Sequence, residues 1–141
     1  MARVEVRSQD GLRQEVTAGN HRLVADEPAE AGGGDAGPDP YALLLAALGA
    51  CTSMTIRLYA RRKGWPVTGV EVRLRHDRIH AEDCADCETE SGYLDRVRKE
   101  ILVRGELTQE QLRRLAEIAR RCPVNQTFSR EVVIEDAMIE T

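Results

Sequence analysis

Residues 37–63 read GPDPYALLLAALGACTSMTIRLYARRK, and this stretch decides the fold. Asp39 stands at a helix N-cap position and Pro40 at the first helical position. That pairing starts helices because the carboxylate takes a free N–H and proline has none to lose. From Tyr41 to Ile56 no residue is charged, and Leu43, Leu44, Leu45, Ala46, Ala47 and Leu48 cover every side of a helix. A helix that is apolar all round is expected to be buried all round. Arg57, Arg61, Arg62 and Lys63 suit the negative end of the helix dipole, and Gly64 stops it. The pattern predicts a helix over 39–63 with Cys51 at its middle. From the residues alone that thiol is either core filler, as free cysteines often are, or a site. Thr52, Ser53 and Thr55 beside it add polar atoms to an apolar helix and lean toward a site.

On either side of this helix the chain reads as strands. Residues 3–7 and 12–17 alternate apolar and charged positions around a Gln-Asp-Gly turn, which predicts a hairpin, and a third strand is expected over 21–26. EPAEAGGGDAGPDP reads as a flexible loop. After the helix, residues 67–80 form a long strand pattern with Val70, Val72, Leu74, His76, Arg78 and His80 on one face. Residues 93–105 follow as another, with Tyr93, Val97, Ile101 and Val103 sharing a face. Residues 108–121 predict a helix with a Thr108/Gln111 capping box and Leu112, Leu115, Ala116 and Ala119 inside. In RCPVNQT, Pro123 interrupts that helix and Cys122 is placed to cap a short new one, whose free N–H groups favour a thiolate; a core cysteine is the alternative. REVVIED, residues 130–136, reads as a closing strand. The order βββ-α-ββ-α-β implies an α+β fold in a single domain over 1–141.

With 141 residues, 4% aromatics and net charge −4, the core must be built mainly from Leu, Val, Ile and Ala. A helix needing cover on all sides is a large demand on so few bulky side chains, which points to a second subunit. The acidic balance argues against nucleic acid as a partner. The uncharged helical run is 16 residues, short of the roughly 20 that a bilayer needs, so no membrane span is expected. ARVEVRSQDG lacks a signal-peptide pattern, and the expected location is cytoplasmic. In that compartment Cys51, Cys84, Cys87 and Cys122 are expected to be reactive or metal-binding rather than structural disulfides.

GPDPYALLLAALGACTSMT followed far downstream by RCPVNQT resembles the OsmC/Ohr family of thiol-dependent peroxidases, over most of the chain. HRLVADEP, YARRKGWP and HDRIHAEDC resemble a less characterised branch of it. The resemblance implies an intertwined homodimer with the buried helices near its centre, and activity on organic hydroperoxides. By motif position Cys51 matches the peroxidatic cysteine and Cys122 the resolving one, reduced by a lipoyl protein or a small dithiol and needing no resident cofactor. Leu44, Leu48, Met54 and Leu58 would line an apolar substrate site. The family pattern also implies an arginine, for which Arg22 and Arg13 are the candidates, held by a glutamate just after the helix-starting proline. Here the glutamate's place is taken by Tyr41, a departure from the pattern that could instead hold the arginine by hydrogen bonding.

His76, His80, Cys84 and Cys87 form a second constellation, two imidazoles and two thiols that suit tetrahedral zinc. Asp83, Asp86 and Glu88 disfavour free thiolates in CADC, which makes it a poor independent redox motif. A catalytically weak small-ligand binder, or a zinc or redox sensor, is the alternative to a peroxidase. The cationic run from Arg57 to Lys63 reads as a solvated helix end rather than an anion site.

Overall fold

In the computed structural model, which describes residues 1–139, the chain forms two compact units, Met1–Ala46 and the residues from Ala47 onward. The first holds an antiparallel meander of β1 (Glu5–Ser8), β2 (Gln14–Ala18) and β3 (His21–Ala25), with Val6 opposite Val16 and Val16 opposite Leu23. Each strand lies within about two residues of its sequence-based bounds, as fraying ends allow. The first turn closes with the Gln9 N–H on the Arg13 carbonyl (2.9 Å), and Gly11 supplies a positive φ of 66°.

The loop after β3 is ordered, against the expectation of a flexible one. Asp26 is buried and its carboxylate accepts the backbone N–H groups of Glu27 (2.8 Å), Gly34 (3.2 Å) and Ala36 (3.1 Å). The Ala36 N–H is the largest influence holding the Asp26 pKa below its ordinary value; burial opposes it, and the other two N–H groups and the Arg13 charge assist. The glycines let the chain fold back: a Cβ on Gly33 or Gly37 would run into the backbone carbonyl of Glu27 or Val24. A Gly-rich composition here permits tight packing rather than mobility.

The boundary between the units falls inside α1 (Pro40–Lys63). Its start matches the sequence reading, with the Ala42 N–H on Asp39 Oδ1 at 2.7 Å. Over 18 of its residues the mean hydropathy reaches 1.5, so by length and composition alone it would qualify as a membrane span. Its burial is that of a core helix on one side only. Leu48, Thr52, Ile56 and Ala60 form a buried stripe at four-residue spacing, with Gly49 beside it. Leu44, Met54 and Leu58 remain 43%, 63% and 52% exposed, so within one chain the helix is not buried all round.

In the second unit β4 (Val67–His80) and β5 (Tyr93–Gly105) form one long antiparallel hairpin. Ile56, Leu115 and Ala119 are the centre of the core, joined from the hairpin by Val67, Val70, Ile101 and Val103. Only the base of the hairpin takes part in this core, so the single-face patterns expected for both strands hold there and fail toward the tip. Val72, Leu74 and His76 are sheltered, but Arg78 and His80 are exposed and Ile79 is sheltered instead. Likewise Tyr93 and Val97 are exposed, while Leu94 and Arg96 on the other face are half-buried.

The helix α2 (Gln109–Ala119) carries the expected capping box on Thr108 and Gln111. Its buried residues are Leu115, Ile118 and Ala119, with Leu112 half-buried; Ala116 is exposed. The stripe is centred one position off the sequence reading, because Cys122 extends it at i+7 from Leu115. Cys122 caps the short α3 (Pro123–Phe128) as expected. REVVIED forms no strand: residues 131–139 are irregular, and Val133 and Ile134 are each 79% exposed. A strand needs a partner edge, and within the described residues this segment has none.

Candidate active site

Two elements bring the site together inside the second unit. α1 presents Cys51 and, one position on, Thr52 on its buried stripe; the α2–α3 corner presents Cys122, which is 0% exposed. Both thiols are free, Cys51 is half-buried, and the Cys51 side chain is among the groups that lower the Cys122 pKa. Seventy-one residues apart in the chain, the two cysteines are brought together where Thr52, next to Cys51, meets Cys122.

Around Cys122 the contacts are specific. As the cap of α3, its Sγ accepts the Asn125 backbone N–H at 3.3 Å. Thr52 Oγ1 stands 3.6 Å from the same sulfur. The Thr52 hydroxyl donates to the Leu48 carbonyl (2.8 Å) and accepts from Lys99 Nζ (3.3 Å). Lys99 Nζ also donates to Asn125 Oδ1 (3.0 Å), so one ammonium ties α1 to α3. A hydroxyl has a single hydrogen. With that hydrogen on Leu48, the Cys122 thiol donates to Thr52; once Cys122 ionises, the hydroxyl can turn its hydrogen to the sulfur. Burial pushes the Cys122 thiol up, but the Asn125 N–H, the Thr52 hydroxyl, the Cys51 thiol and the Lys99 charge together bring it below its ordinary value. Stabilising a thiolate here needs no long-range field, since every contributor is within one or two contacts.

Lys99 was not legible as a site residue. In the sequence it is one of several charges in YLDRVRKEILVRG. Its signal is parity: Lys99, Ile101 and Val103 alternate on the sheltered face of β5, so an ammonium sits where an apolar residue is expected.

Leu48, Met54 and Leu58 fall at i−3, i+3 and i+7 from Cys51 on α1; Leu48 is buried and the other two are exposed, while Leu44 lies toward the helix start. Arg13, Arg22 and Tyr41 belong to the first unit. Arg13 ends the first turn and its charge acts on Asp26; Arg22 lies on β3 opposite Thr17; Tyr41 is in the first turn of α1.

The second constellation is dispersed. Cys84 and Cys87 are joined in a disulfide, which leaves neither sulfur as a thiolate for a metal. His76 Nε2 pairs with Asp95 Oδ1 at 2.8 Å, and the His80 ring packs against Tyr93 with centroids 4.6 Å apart. Among the described residues no group of three or more His, Cys, Asp or Glu side chains is arranged to hold a metal ion.

Residues 32–135 match the family model described as OsmC-like protein. No curated protein matches the chain. Among solved structures it is similar to a putative osmotic stress induced and detoxification response protein from Psychrobacter arcticus 273-4, at 22% identity over 90% of this chain and 88% of that one, with a TM-score of 0.72. It is also similar to an organic hydroperoxide resistance protein OsmC from Legionella pneumophila (21% identity, 91% and 88% covered, TM-score 0.66). The organic hydroperoxide resistance protein OhrB of Bacillus subtilis is a third (20%, 90% and 89%, TM-score 0.61). At these identities the likeness is one of fold, an α+β fold shared along nearly the whole of each chain.

Proposed function

The chain belongs to the OsmC-like family, and from that premise we propose that it is a thiol-dependent peroxidase acting on organic hydroperoxides. The observation that carries the reading is two free thiols brought together by Thr52, the residue next to Cys51, which stands 3.6 Å from Cys122 Sγ, with a cation, a hydroxyl and a backbone N–H gathered about Cys122. Solved structures of the same fold that are named for organic hydroperoxide resistance support the choice of substrate class.

In this reaction the Cys51 thiolate attacks one peroxide oxygen, the O–O bond breaks, and the other oxygen leaves with a proton as the alcohol. Cys51 is then a sulfenic acid. The Cys122 thiolate attacks that sulfur, hydroxide leaves and takes a proton to become water, and a Cys51–Cys122 disulfide forms. A dithiol of the lipoyl or small-molecule type supplies two electrons by exchange and releases both thiols. No resident cofactor takes part. Lys99 and Thr52 serve the second step, by favouring the ionised form of Cys122 that attacks the oxidised Cys51. Met54 and Leu58, apolar and flanking Cys51, favour an organic peroxide over the strongly hydrated hydrogen peroxide.

We read the working form as a soluble, cytoplasmic homodimer. Its support is the unmet cover on α1, where Leu44, Met54 and Leu58 are exposed, and the unpaired apolar segment Val132 to Ile134. A second copy would satisfy both.

Non-reducing mass spectrometry of intact protein and peptides, before and after an equivalent of cumene hydroperoxide, tests the proposal. A Cys51–Cys122 disulfide formed within seconds, and lost in Cys51→Ser, is the expected result. Cys51 staying reduced, or passing slowly to sulfinic acid without pairing, would sink the reading.

A further inference from the structure

Two helix faces of the second unit bring cations to one groove that the cysteine chemistry does not use. Along α1, Thr55, Tyr59, Arg62 and Lys63 recur at i, i+4, i+7 and i+8, a single helical face. From α2 and the turn after it, Arg114, Ile118 and Arg121 recur at i, i+4 and i+7. Together they line an open groove of about 550 Å³, within the size range of small-molecule sites, and among the described residues none that lines it is acidic.

Tyr59 holds the cations in place. Arg114 Nε donates to the Tyr59 hydroxyl at 3.0 Å, and the Arg114 guanidinium and Lys63 ammonium stand 5.6 and 5.7 Å from the centre of its ring. Because the phenolic oxygen accepts from Arg114, its own hydrogen is left to offer to an incoming oxygen. The hydrogen bond from Arg114 lowers the Tyr59 pKa against the opposing effect of burial, and the charges of Arg114, Lys63 and Arg121 add to it, so three cationic fields overlap at one oxygen. Arg114 has a carboxylate partner, Glu117 at 2.9 Å. Among the described residues no carboxylate lies within ion-pair distance of Arg62, Lys63 or Arg121. The helix dipole accounts for cations in the last turn of α1. It does not account for Arg114, in mid-helix on α2, or for the convergence of two elements on one groove.

We propose that this groove binds a small oxyanion of two or more negative charges, of the phosphate or polycarboxylate type, through Arg62, Lys63, Arg114 and Arg121. Guanidinium forks match the paired oxygens of such groups, and the groove relieves like-charge repulsion by taking one. This goes beyond the peroxidase reading and does not depend on it, since the binding would stand if no peroxide reacted.

Trp65 is the only tryptophan, and its ring lies edge-on to Tyr59 at 5.5 Å, so its emission reports from the groove. The test is a calorimetric titration with inorganic pyrophosphate at fixed ionic strength, with Trp65 emission followed in parallel. Saturable binding is expected, with an emission change, and weakened by about tenfold or more in the exposed-site double variant R62Q/R121Q. Arg61→Gln, exposed and outside the groove, should bind as the unaltered protein does. No saturable heat with pyrophosphate or citrate would overturn the proposal. So would binding that R62Q/R121Q leaves unchanged, or binding of polyglutamate where both small anions fail, which would mark the groove as a surface for an acidic protein.

Discussion

Replacing Lys99 by Met removes the ammonium at the cysteine pair and keeps most of its apolar stem. The two links, 3.3 Å from Nζ to Thr52 and 3.6 Å from Thr52 to Cys122, bound the Nζ to Sγ separation below about 7 Å. At an effective dielectric of about 20, unit charges at that distance interact by about 2 kcal/mol, and in bulk water by about 0.6 kcal/mol. Lys99 is half-buried, so the loss lies between those limits: roughly threefold to thirtyfold in any step limited by the Cys122 thiolate at neutral pH. The sign follows from the structure. Lys99 helps lower the Cys122 pKa, so its removal raises that pKa and shifts the pH dependence of the step upward. The assay is single-turnover: after a pulse of organic hydroperoxide, a sulfenic-acid trap times the oxidation of Cys51, and non-reducing mass analysis times the disulfide. In Lys99→Met the disulfide step should slow at pH 7 and recover toward pH 9, as Cys122 ionises without help, while the trapped sulfenic acid accumulates. Lys99→Arg should keep most of the rate. A disulfide step unchanged at pH 7, or a loss just as large at pH 9, would refute the assignment of Lys99 to Cys122.

Ile56 is 0% exposed at the centre of the core, so Ile56→Ala should cost about 2–5 kcal/mol in a urea melt, from lost burial and the cavity left behind. Asp26 has a folded-state pKa below its ordinary value, so its contribution is present above the unfolded pKa and is lost as pH falls through the folded one. The protection of the Gly34 and Ala36 amides, measured against their intrinsic exchange rate at each pH, should therefore fall in acid, and Asp26→Asn should lower it at neutral pH, because an amide has only one acceptor oxygen for two groups of donors. If a second copy covers α1, Leu58→Glu places a charge in that interface, and sedimentation equilibrium should show a shift from dimer to monomer; an unchanged mass would exclude this face as the contact.

Much of the fold was legible because its signals are local. Asp39-Pro40 set the start of α1, the Thr108/Gln111 box set the start of α2, and Cys122-Pro123 set the cap of α3, each by satisfying N–H groups within a few residues. Misreadings came where burial is set by something distant. The alternation in β4 and β5 predicts continuous faces, but only the base of the hairpin meets the Ile56–Leu115–Ala119 core. The closing strand has the right side chains and, among the described residues, no edge to join, and the Gly-rich loop has the composition of a flexible one because composition does not record that Asp26 collects three N–H groups.

Element types other than the closing strand, and the two cysteine motifs, can be read from the residues themselves, since periodicity, capping and proline act over one or two turns. What surrounds those cysteines is settled by packing between distant parts of the chain. Lys99 is a strand residue like its neighbours until β5 turns it toward Thr52 and Asn125, and Arg114 joins Arg62, Lys63 and Arg121 only when two helices pack side by side. Charge at a site depends on distance through space, and a linear sequence leaves that distance open until the chain has folded.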